Sequence, residues 1–278
     1  MGPVTTVAQV FAAIQTAKAT ASAFCTNFFP AKGKLQGWID HGELLGELRD
    51  RSAFFLRKDR DFWHLYFCAS DVATLQRDIR ELPALATERV AVDLVGSEAL
   101  LGEVLNAVES AGFRRYSRLV RLARPGEPAQ PQSPANGTQV IYADQSDGPA
   151  IISLLECSFD RYADQLPALY EIDAAIASRQ VLTVKHEGAL AAVLYFESQG
   201  FTSTIRYWVV AAEFRSHRFG SAVMRHYLAS QSAVRRFILW VTAENENAVL
   251  KYRHYGYAPD GLIDHVLVNN LITHESTS

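Results

Sequence analysis

Arg215, His217 and Arg218 crowd just ahead of Gly220, and the small residues Ser221 and Ala222 follow, within Trp208-VVAAEFRSHRFGSAVMRHY-Leu228. The order of residue types predicts a strand ending near Val210, a basic loop, and a helix opening at about Phe219. The first N–H groups of a helix have no intrahelical acceptor and sit at the positive end of its dipole, so they bind anions. Two arginines beside them add forked donors suited to phosphate. Gly220 lets the backbone approach a ligand closely. Physical chemistry alone therefore predicts a phosphate or pyrophosphate site here. The competing reading is a solvated basic loop.

A second stretch follows at Leu239-WVTAENENAVLKYRHYG-Tyr257. It reads as a strand and then Asn-x-x-Ala-x-x-x-Tyr-x-x-x-Gly-aromatic, through Asn245, Ala248, Tyr252, Gly256 and Tyr257. The first run, Arg215-Ser216-His217-Arg218-Phe219-Gly220, resembles the acyl-CoA loop of the GNAT superfamily of N-acyltransferases, Arg/Gln-x-x-Gly-x-Gly/Ala. The second is similar to the same superfamily at the expected distance downstream. Arg218 stands where the first glycine of the loop is usual; the second glycine is present. The resemblance covers residues of about 138–270.

The resemblance implies acetyl-CoA as co-substrate, held by Arg215, Ser216, His217, Arg218, Phe219, Gly220 and Ser221, with Val209 and Val210 offering backbone N–H groups. It places Asn245 and Ala248 by the pantetheine arm and makes Tyr252 the general acid for the leaving thiolate. A phenol of pKa near 10 can protonate a thiolate of similar basicity. The implied chemistry is direct attack of a neutral amine on a thioester, which needs a base. Glu197, at the end of the preceding strand, is the candidate; Glu213, Asp160, Glu171 and His186 are the others. Strand alternation sets Arg206 and Tyr207 on opposite faces, so only one of them faces the acceptor. No serine or cysteine nucleophile with a partnered histidine is recognisable, and neither the histidines nor the cysteines have metal-ligand spacing. The acceptor is expected to be a small-molecule or peptide amine, with no metal involved.

These residues need a scaffold, and the second half reads as alternating strands and helices. Strands are expected at 138–143, 180–185, 189–196, 202–211, 237–242 and 262–268, and helices at 149–159, 166–178, 219–229 and 247–255. The turn His186-Glu187-Gly188 joins two of the strands. The first half repeats the plan: helices at 6–24 and 41–48, strands at 53–58 and 62–69, a helix at 72–81, a strand at 89–94, a helix at 99–110 and a strand at 116–123. Gly112-Phe113 answers Gly256-Tyr257. No glycine-containing basic loop follows Phe62–Ala69, however, and Val108 stands four residues before Gly112, where a tyrosine would be needed. A degenerate, non-catalytic duplicate is the economical reading. The expected organisation is a GNAT-like domain over 1–124, a proline-rich linker at 125–137, a catalytic domain at 138–270 and a tail at 271–278. The fold class is α/β (α+β), each domain a mixed, mostly antiparallel sheet flanked by helices.

Composition bounds the rest. The chain has 278 residues, 49% of them hydrophobic and 21% charged, with a net charge of -3. That excludes a disordered chain and argues against a nucleic-acid binder. No apolar run is long enough to span a membrane. Three scattered cysteines suggest a reducing, cytoplasmic setting. A monomer or homodimer is expected. Beside the enzyme, two readings stay open: a regulatory protein that binds acyl-CoA without turnover, and a structural pair that binds none.

Overall fold

The computed structural model describes residues 1–29, 31–126 and 138–269. Most of the proline-rich linker and the tail at 271–278 lie outside them. The chain divides into two compact units, Met1–Leu119 with the chain from Leu262 on, and Val120–Gly261. The sequence places the strand at 262–268 in the second domain, whereas its pairing with β6 sets it in the first unit.

The first unit contains β1 (Gly2–Pro3), α1 (Val7–Ala19), β2 (Cys25–Thr26), α2 (Lys32–Asp40), β3 (Leu44–Leu48), β4 (Ser52–Asp59), β5 (Phe62–Ala69), α3 (Val72–Ile79), α4 (Ala84–Thr87), β6 (Val90–Gly96) and α5 (Glu98–Glu109). β7 (Phe113–Pro125) leads into the second unit. There follow β8 (Ile141–Tyr142), α6 (Gly148–Ser158), α7 (Leu169–Ala177), β9 (Val181–His186), β10 (Ala189–Gln199), β11 (Thr202–Val210), α8 (Phe219–Ser230), β12 (Arg236–Thr242), α9 (Glu246–His254) and β13 (Ala258–Asn269).

The two units share one plan. In the first, the sheet order is β1-β3-β4-β5-β6-β13; in the second it is β12-β11-β10-β9-β8. β3, β4 and β5 pair antiparallel and β5–β6 parallel, as β9, β10 and β11 pair antiparallel and β11–β12 parallel. Each sheet is thus mixed and mostly antiparallel, with helices on its faces. The final strand is exchanged: Ile263–Val268 pair antiparallel with Gly96–Ala91 of β6.

Amphipathic spacing explains which faces are buried. Val10, Ala13 and Ala17 of α1, with Leu35 and Trp38 of α2, pack on Phe55 and Tyr66. In the second unit Ile151, Leu155, Ile172 and Ile176 cover Val193, Tyr195, Tyr207 and Val209. Val223, Met224 and Tyr227 of α8 cover the other face, over Leu194, Phe196 and Ile205. Each such large apolar side chain contributes about 1.5–3 kcal/mol when fully buried.

Most elements fall where the sequence places them, within a few residues at the ends. The expected helix at 41–48 is the exception. Helix α2 ends at Asp40, Gly42 turns at φ +67°, and Leu44–Leu48 pair with Arg57–Ala53 as β3. Cross-strand pairing overrides the helical propensity of Glu-Leu-Leu-Gly-Glu-Leu. Gly46 is the residue that carried the signal: a Cβ there would lie 2.9 Å from Val4 Cγ2 and 3.3 Å from Phe55. At the 186–189 connection Glu187 and Gly188 both take positive φ, 51° and 81°, the two-residue hairpin turn expected there.

Candidate functional site

The site is built around an interruption in the second unit's sheet. β11 and β12 pair in parallel from Thr202↔Arg236 to Ile205↔Leu239 and no further. β11 continues to Val210 and β12 to Thr242. Beyond the last pair the strands part, and on that side the polar backbone of Arg206–Val210 is not used by β12. Backbone groups left in this way are donors and acceptors available to a bound molecule.

Directly after β11 the chain forms a 3-10 turn, Ala212–His217, and enters α8. Arg215, Ser216, His217 and Arg218 are exposed; Phe219 and Gly220 are buried. Arg218 is the N-cap of α8 and has φ 62°, ψ 16°, a left-handed conformation. The backbone therefore keeps the shape that a glycine would adopt freely, while the side chain there is arginine. His217 stacks on Phe219, with ring centroids 5.3 Å apart. His186 meets Phe214, His217 and Phe219 at 5.6, 5.4 and 5.3 Å. His186 thus packs the loop against the end of β9.

Gly220 sits where the helix start meets the parted strand. A Cβ at this position would lie 3.0 Å from Val210 Cγ2 and 3.5 Å from the indole nitrogen of Trp208. That Trp208 Nε1 is buried and has no hydrogen-bond partner among the described residues. A buried donor left without a partner costs about 1–3 kcal/mol, which a ligand carbonyl in the opening would recover. A helix N-terminus, flanking arginines, a glycine at close approach and an orphaned N–H are together suited to a long phosphorylated ligand with amide groups. Acyl-CoA fits that description.

Tyr252, on α9, lies beside the same strand end. Its ring is 5.4 Å from Trp208 and 6.0 Å from Tyr257. Burial, and then the negative charge of Asp164, hold its phenol above the usual tyrosine pKa. It therefore stays protonated. No described residue hydrogen-bonds its hydroxyl. Asn245 is the N-cap of α9 and accepts the Ala248 N–H at 3.1 Å through Oδ1. Ala248, the other residue expected near the pantetheine arm, is thus the one that Asn245 caps.

The opposite face of β11 carries a second constellation. A β-bulge shifts the β10–β11 register: Tyr195 pairs with Tyr207 and Phe196 with Ile205, leaving Arg206 as the extra residue. Ile205 packs on the α8 side, whereas Tyr207 and Val209 pack on the α6–α7 side. The expected alternation of Arg206 and Tyr207 is corrected by this bulge, which lets both reach one cluster. Tyr207 donates to the carbonyl oxygens of Asp164 and Gln165. Tyr195 donates to Glu197 Oε1 at 3.0 Å, and that oxygen lies 3.9 Å from Arg206 Nε. Glu197 is therefore on this face. Burial pushes the Asp164 carboxyl up to about 6, outweighing its hydrogen bond from Asp160.

Asp164 was not singled out by sequence, because its significance depends on a folded loop. The other sequence candidates have local duties. Asp160 Oδ1 accepts from Tyr162 and Ala163 at 2.9 Å, and Glu171 caps α7 through the Ala168 N–H at 2.9 Å. Glu213 is exposed in the 3-10 turn.

The first unit has the equivalent opening and fills it. β5 and β6 pair only at Trp63↔Val90 and His64↔Ala91. Asn27, just past β2, donates to Leu65 O at 2.9 Å and Asp93 O at 3.1 Å and accepts from Phe67 N at 2.7 Å. The chain thus bridges its own parted strands. Beneath it His64 is held between Asp59, at 3.2 Å, and Asp93, at 3.7 Å. No group of side chains able to hold a metal is found among the described residues.

Comparison with known proteins agrees with this geometry. Residues 149–257 match the model of the acetyltransferase (GNAT) family. No curated protein matches the chain. A tandem GNAT protein from the clavulanic acid biosynthesis pathway superposes with a TM-score of 0.62 at 15% identity, over 96% of this chain and 97% of that one. A GCN5-related N-acetyltransferase from Sphaerobacter thermophilus gives 0.57 at 15% identity, covering 96% and 93%. One from Kribbella flavida gives 0.57 at 16%, covering 84% and 92%. Residues 149–257 thus match the GNAT family model, and the chain, its first half included, shares the fold of these GNAT proteins.

Proposed function

We propose that the second unit transfers an acyl group, most simply acetyl, from acyl-CoA to an amine without an acyl-enzyme. The observation that carries this is the parting of β11 from β12 after Ile205–Leu239, with Gly220 of α8 set against Val210 and Trp208. Arg215 and Arg218 and the first N–H groups of α8 bind the phosphates; Ser216, His217, Phe219 and Ser221 shape the loop around them. Val209 and Val210 present backbone N–H groups to the pantetheine and the acyl carbonyl. Asp164 or Glu197 takes a proton from the ammonium. The neutral amine attacks the carbonyl carbon, the C–N bond forms, and the C–S bond breaks. Tyr252 gives its proton to the thiolate and is restored by the second amine proton. Products are an amide and free CoA. The first unit, its opening bridged by Asn27, serves as structure.

No described helix is long and apolar enough to cross a membrane. With Cys25, Cys68 and Cys157 all free, a reducing cytoplasmic setting suits the chain, as a monomer or homodimer acting on a small-molecule or peptide amine.

The test is melting temperature with acetyl-CoA and with free CoA. A ligand at a hundred times its Kd adds about 2.7 kcal/mol. Gly220→Glu should abolish the shift, while Gly102→Glu, in an open position on α5, keeps it. Tyr252→Phe should retain the shift and lose turnover. No shift with either ligand overturns the reading; a shift without turnover of any amine favours an acyl-CoA sensor, in which Arg218 at its left-handed position is the distinguishing residue.

A further inference from the structure

Trp208 closes one side of the opening between β11 and β12. It lies beyond Ile205, the last β11 residue paired with β12, and short of the strand's end at Val210. Its half-buried side chain packs on the α8 side of the sheet, against the cluster that includes Leu239, Val241 and Tyr252. Tyr207 and Val209 turn to the α6–α7 side. The indole reaches across from α8 to α9. At α8 its Nε1 and Cζ2 lie 3.5 Å from where a Gly220 Cβ would stand. At α9 its ring centroid is 5.4 Å from that of Tyr252 and 5.7 Å from that of Tyr255. A buried indole N–H ordinarily finds an acceptor, but Trp208 Nε1 has none among the described residues. The ring is therefore held by packing alone, beside the place assigned to the thioester.

The two sides of the opening are unequal. The α6–α7 side carries Glu197 and the loop of Asp164, tied down by Tyr207, and is the amine's side. The α8–α9 side carries Tyr252, the acid for the thiolate, with Trp208 as its neighbour. An acyl chain that outgrows a methyl group has to leave the carbonyl either into the amine's path or toward α8 and α9. The second route ends on the indole. We infer that Trp208 sets the longest acyl group the site takes: acetyl and propionyl thioesters fit, and chains of about six carbons or more do not. This rests on the acyl-transfer reading above and names the donor class for the same site.

Close packing gives the limit its sharpness. A ring wedged between two helices and a strand does not give way to an added methylene. Removing the ring leaves a space bordered by Leu239, Val241 and Tyr252, all buried. An acyl chain that fills it gains about fourfold in affinity for each CH2 buried.

The experiment is titration calorimetry of the full chain with free CoA and with acetyl-, propionyl-, butyryl-, hexanoyl- and octanoyl-CoA. No acceptor is needed, and each affinity is divided by that for free CoA in the same variant. In the wild-type protein acetyl- and propionyl-CoA should bind within about twofold of free CoA, and hexanoyl- and octanoyl-CoA should bind at least tenfold more weakly. Trp208→Ala should make octanoyl-CoA at least as tight a ligand as acetyl-CoA. Trp208→Phe keeps an aromatic ring in the core, which secures a folded variant, and should move the limit to an intermediate length. A purely structural role for Trp208 would weaken all ligands alike and leave their order unchanged. Octanoyl-CoA binding as tightly as acetyl-CoA in the wild-type protein overturns the inference, as does one length order shared by all three proteins. Failure to bind even free CoA would sink the acyl-transfer reading, and this inference with it.

Discussion

The Tyr207 hydroxyl donates to the main-chain oxygens of both Asp164, at 2.9 Å, and Gln165, at 2.8 Å, and so ties the loop after α6 to the centre of the sheet. Gln165 has φ 46°, an uncommon conformation that these bonds help to hold. Tyr207→Phe should cost about 1–2 kcal/mol in urea denaturation. It should lower kcat/KM for the amine more than it weakens CoA binding, because the loop carries Asp164. An unchanged kcat/KM would separate this loop from the acceptor site.

A carboxylate raised to about 6 by burial is half protonated near that pH. If Asp164 is the base, kcat/KM rises with pH through about 6, as the carboxyl loses its proton, and then levels. Asp164→Asn should lower the plateau and remove that limb. Retention of the same limb in Asp164→Asn would assign it to Glu197 or to the substrate.

Arg218 occupies a left-handed position that costs a non-glycine residue about 1 kcal/mol. Arg218→Gly should raise stability by about that amount. The same change removes a cation beside the α8 N-terminus, so affinity for free CoA should fall severalfold and depend less steeply on salt. A variant more stable but equal in CoA affinity and salt dependence would show that Arg218 does not contact the phosphates.

Asn27 makes three side-chain hydrogen bonds across the parted strands of the first unit. Asn27→Ala should cost about 2–4 kcal/mol, since each bond contributes about 1 kcal/mol and partners are left unsatisfied. CoA binding to the second unit should persist at temperatures where the variant is folded. A loss below 1 kcal/mol would mean the bridge is dispensable.

His64 supplies a pH signature of stability. Burial lowers its pKa, but the hydrogen bond and charge of Asp59 and Asp93 outweigh burial and raise it above 6.5. The folded state thus holds a proton that the unfolded chain releases. This contribution is fully present below pH 6.5 and is lost as pH rises through the folded pKa. Unfolding free energy should fall across that window, and His64→Gln should flatten the fall. Equal slopes in both proteins would refute the assignment.

Much of the second unit was legible because its chemistry is local. Arg215–Gly220 and Asn245–Tyr257 combine turn, cap and helix signals within a few residues, and the order of strands follows from period-two runs. What was hidden depends on long-range pairing. The bulge at Arg206 exists only because β10 and β11 change register, and the apolar run Tyr207–Val210 gives no hint of it. Asp164 acquires its raised pKa from burial under a loop. Leu44–Leu48 has a helical composition and becomes a strand because β4 lies beside it, and Asn27 looks like any loop asparagine until β5 and β6 part around it.

The exchanged strand bears on how the protein is made. The edge of β6 that receives Ile263–Val268 is complete only when the end of the described chain has emerged. At about 5–20 residues per second a ribosome takes on the order of ten seconds or more to supply it. Throughout that interval the nascent first unit exposes a hydrophobic strand edge of Val90, Ala91, Val92 and Leu94, the kind of template on which chains aggregate. Folding order is thereby inverted for half the molecule: the unit synthesised first is the one whose sheet is completed last.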